Sequence, residues 1–194
     1  MNLLRKLYDW TLEKSKDPKA PWFLAIISFS ESSFFPIPPD IILIPMVLAN
    51  RIKAWVFASI CTVSSVLGGV LGYFIGFFFY NSVGIMIIQY YSLENLFSSF
   101  ESSYNDYGIL IVLGAGFTPF PFKFITIASG LFSLNLPLFI SVAFIARGLR
   151  FFIVAGLLKF FGNFIQNLFD RYFNIITILF FLLLIGSFVL IKYL

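Results

Sequence analysis

Residues 34–40 read Phe34-Phe35-Pro36-Ile37-Pro38-Pro39-Asp40, and residues 117–123 read Phe117-Thr118-Pro119-Phe120-Pro121-Phe122-Lys123. The two stretches align Pro36 with Pro119, Pro38 with Pro121 and Asp40 with Lys123. Proline lacks a backbone donor and disfavours the helical conformation of the residue before it, so Pro-x-Pro inside an apolar run breaks a helix. In hydrocarbon such a break survives only where protein or a water-filled cavity satisfies the freed backbone groups. Interrupted hydrophobic segments at corresponding places in two halves of a chain point to a transport site. Pro36, Pro38, Pro39, Pro119 and Pro121 therefore mark two helix breaks around which the rest of the chain is organised.

The composition puts those breaks in a membrane. Of the 194 residues, 60% are hydrophobic and 11% charged, where an ordinary soluble domain carries about 25% charge; the mean hydropathy is +0.96. The length suits one integral membrane unit over residues 1–194. Histidine is absent and Cys61 is the only cysteine. That removes the usual general base, the usual zinc ligands and any disulfide framework. No aspartate cluster suited to catalytic magnesium occurs, which disfavours a membrane-embedded lipid phosphatase or transferase. No enzymatic activity, cofactor or nucleic-acid partner is expected.

Residues 2–16 lack the uninterrupted apolar core of a cleavable signal peptide. They put Leu3, Leu4, Leu7 and Tyr8 on one helical side and Arg5, Lys6, Asp9 and Glu13 on the other, predicting an interfacial helix over residues 1–19. Apolar arms at 22–35 and 41–49 flank the first break. At about 1.5 Å per residue neither crosses a core about 30 Å thick, so residues 20–50 are read as a re-entrant hairpin. Residues 54–80 carry no charge and predict a transmembrane helix, whose Gly68, Gly72 and Gly76 are expected to serve close packing. Residues 81–106 are acidic and contain no Lys or Arg. Their Leu93, Leu96, Phe97 and Phe100 fall at helical spacing, so the segment is read as a non-cytoplasmic amphipathic helix. Residues 107–135 form the second hairpin, and residues 137–159 and 172–192 further transmembrane helices.

Basic residues set the orientation. With hairpins, Arg5, Lys6, Lys14, Lys16, Lys19, Arg51, Lys53, Lys159 and Arg171 all fall on one side, which is then cytoplasmic. A single kinked crossing over 22–49 would move Arg51 and Lys53 outside and put the acidic segment inside. The hairpin reading therefore prevails, with a cytoplasmic N-terminus. The two hairpins enter from opposite faces, an inverted repeat whose tips are expected to meet near the midplane.

Five charges remain in the hydrocarbon: Glu31, Asp40, Lys123, Arg147 and Arg150. Each costs about 2.5–3.5 kcal/mol on insertion scales, and such residues normally face a cavity or one another. One reading is a structural ion-pair network that holds the hairpins together. The other is a substrate and ion site. In it Lys123, Arg147 and Arg150 attract an anion, with arginine suited to bidentate phosphate contact, and half-helix N-termini add partial positive charge. Glu31 and Asp40 then pair with the bases when the site is empty or carry protons. Asp40 and Lys123, equivalent in the repeat, are expected to approach each other.

The motif from Glu31 to Asp40, with Phe117 to Lys123 and the following Ala128-Ser129-Gly130, resembles the DedA membrane protein family, also called the SNARE-associated or VTT-domain family, in its YqaA-like branch. The resemblance covers roughly residues 20–160. It implies two re-entrant hairpins, a bacterial inner-membrane location and movement of lipids between leaflets, with polyprenyl phosphate or phospholipid as the substrate class. The family's two acidic positions correspond to Glu31 and Asp40. In the second motif the family's first arginine is replaced by Gly116, and the second basic position arrives one residue late as Lys123. The chain is thus read as an all-α polytopic membrane protein that transports or scrambles an anionic lipid, with protons as a coupling ion and homo-oligomerisation left open. The alternatives are a proton- or cation-coupled small-solute transporter and a membrane scaffold without transport.

Overall fold

Two short helices form on either side of the first break. α1 spans Ala20–Ser33 and carries Pro21 in its first turn, where a missing donor costs nothing. It ends as Phe34 and Phe35 both donate backwards to the Ser30 carbonyl. α2 spans Asp40–Ala49, with Pro39 as its N-cap and Asp40 in its first turn, where a carboxylate suits the helix dipole. A 3-10 turn, Arg51–Lys53, leads into α3, Ala54–Phe79. α3 passes through a π-helical turn, Tyr80–Gly84, into α4, Ile85–Tyr90. α5 spans Glu94–Phe117, α6 Phe122–Leu131 and α7 Leu136–Gly162.

This computed structural model describes residues 19–35, 37–90, 94–118, 120–162 and 164, and every element among them is helical. The interfacial helix expected over 1–19 therefore lies outside the described residues except for Lys19. The transmembrane helix expected over 172–192 and the prolines Pro36 and Pro119 lie outside them as well.

Among the described residues, two helices are long and apolar enough to cross a membrane, Arg51–Phe79 and Leu136–Gly162. They overlap the spans expected at 54–80 and 137–159, and the second begins at Leu136, with Pro137 in its first turn. One expected boundary is absent. The join placed between residues 106 and 107 falls inside α5, which runs through it as one helix of 24 residues. Composition changes there from polar to apolar, but nothing at that point removes a backbone donor or blocks a turn. The helix accordingly continues.

Two cores stack end to end along α3 and α7. The first joins Ala20 and Leu24 of α1, Leu43, Met46 and Val47 of α2, Ala54 to Cys61 of α3, and Phe151 to Leu158 of α7. The start of α1 shares this core with the end of α2, so the pair folds back on itself. The second joins Val66 and Tyr73 of α3, Tyr104 and Val112 of α5, Phe122 of α6, and Phe139 to Ala143 of α7. Tyr104 lies 2.8 Å from the Ser129 hydroxyl near the end of α6, so α5 and α6 also fold back. The breaks at 34–39 and 118–121 thus lie between the two cores, halfway along α3 and α7.

The glycine stripe of α3 holds both pairs close. A β-carbon on Gly68 would meet the Phe29 carbonyl of α1, and one on Gly76 the Ile127 carbonyl of α6. Gly72, between them, faces Thr126 and the Ser32 carbonyl, the latter 3.0 Å from an added β-carbon. Gly130 of α6 returns the contact against the Tyr73 carbonyl. The packing role expected of these small residues is the one they have: backbone lies on backbone, where dispersion contacts are densest.

Candidate functional site

Where the two breaks meet, four of the five expected charges come together. Arg147 stands near the middle of α7, and its side chain is 1% exposed. Its Nη2 donates to Glu31 Oε2 at 2.6 Å, and its Nε donates to Ser65 Oγ of α3 at 2.6 Å. The guanidinium plane is framed by two rings, 5.0 Å from the Phe122 centroid and 4.7 Å from that of Phe151. Glu31 sits in the last turn of α1. Its Oε1 accepts the Phe122 backbone N–H at 3.3 Å, so this carboxylate caps the positive end of α6. Its Oε2 also accepts from the Ser32 hydroxyl at 3.2 Å.

One turn further along α7, Arg150 makes the outer pair. Its Nη2 donates to Asp40 Oδ2 at 2.5 Å, and its Nη1 donates to the Thr118 carbonyl at the end of α5. Arg150 therefore ties the start of α2 to the end of α5. This pair is wetter than the inner one, with side chains 15% and 19% exposed. The second carboxylate oxygen of Asp40 is buried without a partner among the described residues.

Lys123 does not join them. It makes no ion pair among the described residues, and its Nζ lies 5.4 Å from the ring centroid of its neighbour Phe124. The expected approach of Asp40 to Lys123 is therefore corrected: Asp40 pairs with Arg150, and Glu31 with Arg147. The repeat aligns backbone breaks, but the two tips interlock off that alignment. The acid before the first break, not the one after it, reaches the start of α6. Of the break prolines, Pro38 and Pro121 line the two turns and Pro39 is buried at the N-cap of α2.

Hydroxyls complete the junction, and sequence reasoning did not single them out. Ser32 Oγ lies 2.7 Å from Ser65 Oγ, Ser33 donates to the Gly68 carbonyl at 2.8 Å, and Thr126 donates to the Ser32 carbonyl at 2.9 Å. A signal for Ser65 exists in the sequence, since Cys61, Ser65, Gly68, Gly72 and Gly76 make one small-residue face at helical spacing. The junction can hold one anion per arginine, and at present each anion is a carboxylate of the chain itself. Two surface cavities, about 240 Å³ beside Tyr80, Ile88 and Phe97 and about 320 Å³ beside Lys19, Trp22 and Ile26, lie away from it.

An uncharacterized protein of Haemophilus influenzae is 37% identical over 163 residues, covering 84% of each chain. An uncharacterized protein of Histophilus somni is 34% identical over 163 residues, covering 84% of this chain and 85% of its own. No solved structure matches. The VTT domain family model matches residues 36–160, from the first break through α7. With that match and these relatives, the chain belongs to the VTT-domain (DedA) family of transporter-like membrane proteins.

Proposed function

We propose that the chain carries an anionic lipid headgroup, of a polyprenyl phosphate or a phospholipid, between the leaflets of a bacterial inner membrane. The observation that carries this reading is the pair of arginines at mid-length of a spanning helix, each held by a carboxylate that a phosphate can replace. Taking an ion pair out of water costs several kcal/mol per ion, and apolar side chains would hold the same helices together at less cost. An exchangeable pair gives that expense a use. As the headgroup displaces one carboxylate at a time, each arginine keeps a charged partner, and arginine binds carboxylate and phosphate with the same fork. With both pairs intact, Lys123 in the first turn of α6 remains as a positive charge outside them, suited to drawing an anion towards the junction.

In this reading the two folded-back pairs are re-entrant hairpins, entering from opposite faces. α1, α2 and α6 have 14, 10 and 10 residues, or about 21, 15 and 15 Å, too short for a core about 30 Å thick. Positions 52 and 95 test the arrangement, both being exposed, Ile52 at 90%. With Cys61 replaced, a cysteine at Ile52 is expected to react with an impermeant reagent only from the cytoplasm, and one at Asn95 only from the opposite side. Labelling of both from one side ends the hairpin topology.

Transport itself is tested by leaflet exchange of labelled lipids in proteoliposomes. Wild-type protein is expected to accelerate exchange of anionic lipids, and Arg150→Gln to reduce it at least tenfold with a smaller loss of stability than a change at Arg147, since the outer pair is more exposed than the inner one. The complete pairing of both arginines favours a second reading, a scaffold held by its ion pairs. That reading predicts no exchange by either protein. Flux of a water-soluble solute without lipid exchange would instead make the chain a solute transporter.

A further inference from the structure

Glu31 and Arg147 are joined twice, once directly and once around a ring. Arg147 Nη2 donates to Glu31 Oε2, while its Nε donates to Ser65 Oγ. Ser65 Oγ lies 2.7 Å from Ser32 Oγ, and Ser32 Oγ donates back to Glu31 Oε2 at 3.2 Å. The two ends of that path dictate the direction of each hydrogen in it. A guanidinium only donates, so Ser65 accepts from Arg147 and has its own hydrogen left for Ser32. A charged carboxylate only accepts, so Ser32 turns its hydrogen to Glu31. Both serines are fully buried, and the ring closes without water.

We propose that Ser32 and Ser65 are positioning residues that tie the placement of Arg147 to the charge on Glu31. The purpose of this link rests on the transport reading above, but its chemistry does not. When Glu31 takes up a proton from water, its Oε1 still faces the Phe122 N–H. The proton therefore sits on Oε2 and donates to Ser32. Ser32 then turns its hydrogen to Ser65, and the Ser65 hydrogen loses its acceptor. In the same event Arg147 Nη2 loses the negative charge it was donating to. Buried donors without acceptors are costly, so the guanidinium is released towards another anion. Arg147 also feels Arg150 of its own helix, Asp40 of α2 and Cys61 of α3, and Lys123 stands in the first turn of α6. None of these belongs to the ring, so Glu31 alone sets its direction.

Infrared difference spectra of the full chain in detergent, titrated from alkaline to acid, read this directly. The protonated-carboxyl band that disappears in Glu31→Gln belongs to Glu31. Ser32→Ala removes the hydroxyl that donates to the charged carboxylate, so the midpoint of that band is expected to rise by about one pH unit, whereas Ser65→Ala leaves that donor in place and is expected to move the midpoint less. Serines that merely fill space would leave it in place. Ser32→Ala keeps the Arg147 bond to Ser65 and serves if Ser65→Ala fails to fold. In vesicles of phosphatidylethanolamine and phosphatidylglycerol, the pH midpoint for exchange of labelled phosphatidylglycerol is expected to move by the same amount. Identical infrared midpoints in wild type and variants, or a Glu31 carboxyl that never protonates across the titration, overturn the proposal. Shifted infrared midpoints in a protein whose wild type exchanges no lipid would support the ring and remove the transport reading.

Discussion

Arg147→Met is expected to lower the unfolding free energy in detergent by about 3–5 kcal/mol, the usual cost of stranding one member of a buried ion pair. Glu31 would be left with only the Ser32 hydroxyl and the Phe122 N–H to hold it. Glu31→Gln strands Arg147 instead. The loss is expected to be smaller, because an amide oxygen still accepts one hydrogen bond and Ser65 still holds Nε. The double variant leaves no unpaired charge, and the two Phe rings can close on the methionine. It is expected to recover stability beyond the sum of the single changes by at least 1 kcal/mol, as residues in direct contact do. On the transport reading, lipid exchange is expected to be lost in all three. Strictly additive losses in a denaturation series would mean that the pair is not formed in the membrane-extracted protein.

The second large effect lies on the glycine stripe. Gly68→Ala drives a methyl group onto the Phe29 carbonyl, and Gly76→Ala onto the Ile127 carbonyl. Main chain cannot rotate aside as a side chain can, so each change is expected to cost about 3 kcal/mol, the upper part of the range for overpacking. Gly114 of α5 supplies the control, since an added β-carbon there meets nothing within 4 Å. Gly114→Ala is expected to be neutral or stabilising by up to about 1 kcal/mol, through helix propensity alone. Thermal unfolding in one detergent would rank the three. Equal behaviour at positions 68 and 114 would show that the close contact with α1 is not kept.

How much of this could be read from the sequence depends on how local its cause is. The helix ends at Ser33 and Phe117 and the starts at Asp40 and Phe122 follow from proline chemistry within a few residues. The packing role of Gly68, Gly72 and Gly76 followed from their spacing on one face. That Glu31, Asp40, Arg147 and Arg150 would gather also followed, because isolated charges are too costly in an apolar chain. Their partners did not follow. Pairing depends on how far one tip slides past the other, and that is fixed by contacts such as Thr126 on the Ser32 carbonyl, between residues far apart in sequence. The same slide leaves Lys123 beside Phe124 and away from Asp40. Ser65 was not singled out because a serine beside Ser64 in an apolar run has many uses. Only the arginine beside it reveals this one.

Arg150 grips its two neighbours by unlike means. On one side it holds the Asp40 carboxylate, which protonation or mutation can take away; on the other it holds the main-chain carbonyl of Thr118, which neither can. If the tips part, the seam opens on the Asp40 side, and the arginine travels with the end of α5. Position 118 is then free to vary in side chain without loosening the grip, whereas position 40 is not. The durable half of this clasp is written in the backbone, where an alignment of side chains would not display it.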